Sequence, residues 1–220
     1  MSKFIKYLYT QVGKVGAKLH LNTEVSSELV DQMKPDVVIV ATGGEPIIPD
    51  LPGIQGEKVI SSHDVLSGKA ILPPGNMVVI GGGMVGLEVA EFLADPGDHP
   101  LLGPNHITVV EMLDSVGMDL AADMRTLLMK RLRENGVRII TSATVKEILD
   151  DGLVISMADG NEESLLGMDR IILAMGAKSV EVLSDEIKKK VAEVYVIGDA
   201  KQPRKALEAI AEGSEVGRRV

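Results

Sequence analysis

The sequence contains no cysteine and no tryptophan, and only two phenylalanines and three tyrosines among its 220 residues. Without cysteine there is no disulfide framework, no thiolate zinc or iron–sulfur site and no redox-active thiol pair. Few rings are present for nucleic-acid bases to stack on. The formal net charge of −9 is opposite in sign to the basic footprint of a nucleic-acid binder. No apolar run approaches the ~18 residues of a membrane-spanning helix, and the opening "MSKFIKYLYTQ" lacks the apolar core of a secretion signal. A cytoplasmic location is the expectation. The four histidines, His20, His63, His99 and His106, are scattered, and none pairs with carboxylates at metal spacing. No metal site and no catalytic residue are expected.

What is present is an ordinary globular composition, 45% hydrophobic and 25% charged. Lys3 to Val15 carries apolar residues at helical spacing and is closed by Gly16. "AKLHL" and "DVVIVATG" read as strands, the second buried on both faces. Residues 44–75 are dense in proline and glycine and read as a linker. Leu120, Met124, Leu127, Leu128 and Leu132 mark an amphipathic helix that ends at Asn135-Gly136. "TVKEILDDGLVISMADG" reads as a hairpin turning at Asp151-Gly152, and "DRIILAMG" as a second buried strand.

Between the linker and the long helix stands "NMVVIGGGMVGLEVAEFLA", Asn76 to Ala94. It reads as strand, glycine turn, helix. Gly81, Gly83 and Gly86 form G-x-G-x-x-G: the first permits the tight turn, the second lets a pyrophosphate approach the backbone, and the third lets the helix pack closely. Gly82, Met84 and Val85 complete the turn, whose helix N-terminus favours negative charge. The following strand, "HITVVEM", ends at Glu111, a carboxylate placed to accept hydrogen bonds from adenosine ribose and to repel a 2′-phosphate. NAD(H) is therefore the expected nucleotide. Glu111 lies 25 residues after Gly86 (111 − 86), a long spacing caused by the inserted "GDHPLLGPN". The bland alternative is a turn that only packs a helix. Glu88 has two open readings: a group near the nicotinamide end or its ribose, or an acid favoured by the helix dipole.

The chain also repeats itself. "GAKLHLNTEV" from Gly16 matches "GVRIITSATV" from Gly136, and "DVVIVATG" from Asp36 matches "DRIILAMG" from Asp169. Gly81 precedes Gly136 by 55 residues (136 − 81), so the matching turn of the first copy falls ahead of Met1. Either the first copy has degenerated or the chain is a piece of a longer polypeptide, and the start inside a helix favours the piece.

Three passages, "VVIVATGGEPIIPDLPGI", "VVIGGGMVGLEVAEFLA" and "VYVIGDAKQPRKALEAIAEGSEVGRRV", together resemble the two-dinucleotide-binding flavoprotein reductases. The run "GDAKQPRKALEAIAEG" is similar to the C-terminal region of old-yellow-enzyme-type NADH:flavin oxidoreductases, the group of 2,4-dienoyl-CoA reductase, 2-enoate reductase and trimethylamine dehydrogenase relatives. The resemblance implies an α/β, Rossmann-like, three-layer fold in which an NADH domain is inserted into a truncated FAD domain. Residues 1–71 and 177–220 would be the partial FAD-binding domain, and residues 72–176 the NAD(H)-binding domain. Gly176 would join the NADH site. Thr42, Gly43, Gly198 and Asp199 would contact FAD in the intact protein, with Asp199 on the ribityl chain. The alternative for Asp199 is a plain helix cap. The family's first FAD glycine motif, FMN barrel and cysteine-rich segment have no match here. The resemblance thus implies missing parts of the same polypeptide, no tight FAD in this chain alone, and a second copy of the chain as a possible cover for exposed apolar faces. The function implied is hydride delivery from NADH to FAD and on to a distant centre. Two other readings stand beside it: a non-catalytic ADP- or dinucleotide-binding module, and a purely structural domain.

Overall fold

The structure, a computed structural model, describes residues 2–70, 72–95, 105–180 and 184–220. His99 and the inserted loop, apart from Asn105, lie outside the described residues. The chain opens with helices α1 (Ser2–Lys14) and α2 (Ser27–Met33), then strands β1 (Val37–Val40), β2 (Gly44–Pro46) and β3 (Val59–Ser61). α3 (Ser62–Leu66) leads to β4 (Asn76–Ile80), which passes through the glycine turn into α4 (Met84–Ala94). β5 (His106–Val110), α5 (Ala122–Glu134) and β6 (Arg138–Ile140) follow. An antiparallel meander comes next: β7 (Ala143–Leu149), β8 (Gly152–Met157) and β9 (Glu162–Leu166). The chain closes with β10 (Arg170–Leu173), β11 (Ala177–Ser179), α6 (Ser184–Ile187), β12 (Glu193–Val196), a 3-10 turn at Gly198–Ala200 and α7 (Ala206–Val216).

The main sheet is parallel, in the order β3-β10-β4-β5-β6. Its edge strands β3 and β6 are only partly buried, whereas the inner strands β10, β4 and β5 are largely buried on both faces and read as apolar runs. Alternation within β4 shows why. Met77 and Val79 face α4 and α5 in a core with Leu87, Val89, Leu128 and Leu132. Val78 and Ile80 face the opposite way, into a core with Leu153, Ile155 and Leu165 of the meander. Helices, parallel sheet and meander make three layers, an α/β Rossmann-like arrangement.

A second, two-stranded parallel sheet pairs β1 with β12, and Val30 of α2, Ile187 of α6 and Val191 ahead of β12 pack against it at Val38 and Val194. β2 and β11 form an antiparallel ribbon.

Several local expectations change. The hairpin loop is Asp150-Asp151, with Leu149 and Gly152 already paired, and β9 adds a third strand. "AKLHL" makes no strand, and Leu19 and Leu21 are exposed. Its repeat partner β6 is held by β5, and among the described residues no such neighbour exists for the first copy. β1 is not buried on both faces: Ile39 is 41% exposed. The linker contributes β3 as an edge strand of the main sheet. In α5, Met124 and Leu127 are exposed, and only Leu128 and Leu132 are buried.

Candidate functional site

The parallel strands β4 and β5 end side by side, which brings the glycine turn and Glu111 together. Gly81 leaves β4 with φ +107, a conformation that L side chains rarely adopt. Its N–H donates to Val110 O (2.9 Å), which ties the turn to β5. A Cβ on Gly86 would stand 1.9 Å from Gly81 O, so the helix crosses the turn at backbone contact. Gly83 is the N-cap of α4, and a Cβ there would meet only Asp119, at 3.6 Å. Met84 and Val85 open the helix and are half-buried.

Glu111 is one of two buried polar residues among those described, 9% exposed. Its Oε2 accepts from Gly82 N–H (2.6 Å) and its Oε1 from Leu113 N–H (2.8 Å). The carboxylate thus clamps the glycine turn to the loop after β5. A carboxylate has about four lone-pair sites, so two bonds leave capacity for ligand hydroxyls.

Glu88 is exposed one turn into α4. Loss of part of its hydration, then the negative charges of Glu91 and Asp119, push its carboxyl above the ordinary carboxylate range. Glu91 is itself ion-paired with Arg131. Gly176 follows β10 by three residues, close to the turn: Met175 N lies 3.5 Å from the Gly81 Cβ position. Gly176 O accepts from Ile47 N–H (3.0 Å).

Thr42, Gly43, Gly198 and Asp199 gather at the ends of β1 and β12. The Cβ position of Gly44 lies 3.6 Å from Asp199 Cβ. Thr42 Oγ1 donates to Val180 O, and Val180 N–H donates to Gly43 O (3.0 Å). Asp199 Oδ1 accepts from Arg204 N–H (3.2 Å), so it closes a local turn ahead of α7.

Sequence reasoning misses two residues. Asp119 caps α4 from the β5–α5 loop: Met84 N–H donates to both its carboxylate oxygens at 3.0 Å. A 35-residue separation with no motif gives no signal. Glu212 on α7 accepts from Gly198 N–H (2.8 Å) and is bound by Arg204 Nη2 (2.6 Å) and Lys201 Nζ (3.1 Å).

Arg204, then the Gly198 N–H and Lys201, hold the Glu212 carboxyl at about 2, below its ordinary 4.5. The unfolded chain therefore takes up the proton first as pH falls. The stabilisation is complete above about pH 4.5 and is lost progressively towards pH 2. Acid unfolding followed between pH 5 and 2 is expected to be shallower for Glu212→Gln than for the wild-type chain. Equal slopes would mean that Glu212 is not coupled to folding.

A parallel sheet whose strand runs through G-x-G-x-x-G into a helix, with an acid closing the next strand, defines a Rossmann-like dinucleotide-binding fold of the oxidoreductase kind. The chain belongs to the pyridine nucleotide-disulphide oxidoreductase family, whose pattern matches residues 2–213. That family uses FAD and NAD(P)H. The chain is 31% identical to a metal reductase of Desulforamulus reducens, over 93% of this chain and 34% of that protein. It is also 31% identical to an NADH oxidase of Thermoanaerobacter brockii, over 97% of this chain and 32% of that protein. Among solved structures, 2-naphthoyl-CoA reductase in complex with 2-naphthoyl-CoA superposes with a TM-score of 0.88 at 31% identity. That superposition covers 100% of this chain and 32% of the reductase. The chain thus spans about a third of the length of these relatives.

Proposed function

We propose that the chain is the NADH-binding portion of a larger flavin-dependent oxidoreductase of the old-yellow-enzyme type. In it residues 72–176 bind NADH, and residues 1–71 and 177–220 complete an FAD-binding domain supplied in part by other segments. The observation that carries the nucleotide assignment is the clamp of Glu111 on the glycine turn, with oxygens at 2.6 and 2.8 Å from backbone N–H groups. It fixes a carboxylate beside the phosphate-binding backbone, where a ribose diol is accepted and a 2′-phosphate is repelled. When bound, the nicotinamide supplies the hydride. The residues of this chain bind, orient and shield it: Gly81, Gly82, Gly83, Met84, Val85 and Gly86 at the pyrophosphate, Glu111 at the ribose, and Glu88 and Gly176 towards the nicotinamide.

The FAD assignment draws its support from the internal repeat. β10 has β3 on one side and β4 on the other, whereas among the described residues its counterpart β1 pairs with β12 alone. The free side of β1 fits a parallel strand leading into a further glycine turn. Of the groups proposed for FAD, Thr42, Gly43 and Gly198 are hydrogen-bonded within the chain, and Asp199 accepts one bond, from Arg204 N–H.

The glycine turn and Glu111 would hold the ADP half of a nucleotide whether or not hydride is transferred, so a second reading is a structural module that holds ADP or a dinucleotide without turnover. Melting curves with NADH, NADPH and ADP separate the two. A ligand at about 100 times its Kd stabilises by about 2.7 kcal/mol. A shift selective for NADH supports the hydride-donor site, and equal shifts for ADP and NADH support the structural module. No shift with any ligand would overturn both.

A further inference from the structure

We propose that Asp119 is a tethered anion seated in the phosphate place of the glycine turn, which a dinucleotide must displace, so that the β5–α5 loop sets nucleotide affinity. The inference rests on the reading of the turn as a dinucleotide site. Its basis is a loop that lies on the turn at three points. Gly117 N–H donates to Gly82 O (2.7 Å), and Val116 packs where a Gly82 side chain would stand, 2.5 Å from its Cβ position. Asp119 then presents both carboxylate oxygens to Met84 N–H at 3.0 Å. Arg125 Nε holds the loop from α5 by donating to Val116 O (2.8 Å).

The Asp119 carboxylate therefore uses the first amide of α4, one of the N–H groups that a pyrophosphate at this helix N-terminus would use. The N–H groups of Val85 and Gly86 follow in the first turn, where a helix offers no acceptor of its own. Asp119 also adds negative charge beside Glu88 and Glu91, which opposes a second anion until the loop moves. Val116 is 3% exposed and anchors the loop in the core, whereas Asp119 is exposed. Displacement thus requires the Asp119 end of the loop to swing while Val116 stays in place.

The test compares the wild-type chain with Asp119→Asn and Asp119→Ala by calorimetric titration with NADH, ADP and adenosine. Removing the tethered charge is expected to tighten NADH and ADP by about fivefold, the scale of a carboxylate at a helix N-terminus, and to leave adenosine unchanged. Asp159→Asn, which removes the same charge from the turn between β8 and β9, is expected to change nothing. A gain shared by Asp159→Asn or by adenosine would overturn the proposal, because bulk charge or loosened packing would explain it. NADH binding by the variants that is no tighter than wild type, together with a lowered melting temperature, would make Asp119 a plain helix cap. That result overturns the proposal and leaves the site reading intact. Absence of binding by wild type and variants alike overturns both.

Discussion

A Gly86→Val variant is expected to lose about 3 kcal/mol or more of stability, the upper range for overpacking a close contact. For a chain of this size that is a fall of about 6–12 °C in melting temperature, read by circular dichroism. The new Cβ would stand 1.9 Å from Gly81 O and 3.3 Å from Ala174 Cβ. Relief through Gly81 is blocked. That residue is held at φ +107, its N–H is bonded to Val110 O, and its own Cβ position lies 2.3 Å from Ala174 O. The helix must therefore move off the sheet, and Leu87, Val89 and Ala90, all fully buried, leave their contacts with it. Gly83→Ala is the matched control, with an ordinary φ of −71 and nothing nearer than 3.6 Å. It is expected to melt close to the wild type while binding NADH more weakly, since the methyl intrudes where the phosphate approaches. A Gly86→Val chain that melts with the wild type would show that the crossing of helix and turn is not tight.

How far such a site is legible in sequence depends on where its information lies. β4, the glycine turn and α4 are readable because each residue's role is local: two-faced burial, a left-handed turn, close helix contact. The burial of β1 is not readable, although "DVVIVATG" and "DRIILAMG" share four of eight residues and a similar apolar run. Among the described residues β10 lies between two strands and β1 beside one, so the exposure of Ile39 reflects neighbours rather than composition. The failure of "AKLHL" to form a strand has the same cause. β9 is hidden because "EESLL" opens on two acids, leaves Leu166 exposed and buries Leu165 alone, so no apolar alternation marks it as a strand. Asp119 and Glu212 escape for a different reason. Each reaches a backbone N–H across 35 or 14 residues, and acids in loops or on helix faces are common enough that spacing alone selects neither.

Glu111→Gln is expected to lower stability by about 3 kcal/mol and NADH affinity by about tenfold, for reasons that lie in the hydrogen bonds of one carboxylate. In the wild-type chain both oxygens accept charge-assisted bonds, from Gly82 N–H and Leu113 N–H, in a site 9% exposed. The amide keeps one acceptor and turns an NH₂ towards the other N–H. One bond to a charged group is lost, about 1.5–3 kcal/mol, and a buried donor is left unsatisfied at about 1–3 kcal/mol. Partial relaxation places the sum near the lower end, at about 3 kcal/mol. The backbone of Glu111 remains tied to Ile140 O and Ala143 N–H (2.8 and 3.0 Å), so the side chain cannot withdraw by moving the strand. The clamp and the ribose contact give separable signals. The loss of stability is read without ligand, from denaturant midpoints. The specificity change is read from the ratio of NADH to NADPH affinity, which falls because the charge that repels a 2′-phosphate is gone. A variant as stable as the wild type would show that the clamp does not hold the turn. An unchanged NADH-to-NADPH ratio would remove Glu111 from nucleotide selection and leave it as the tie between turn and loop.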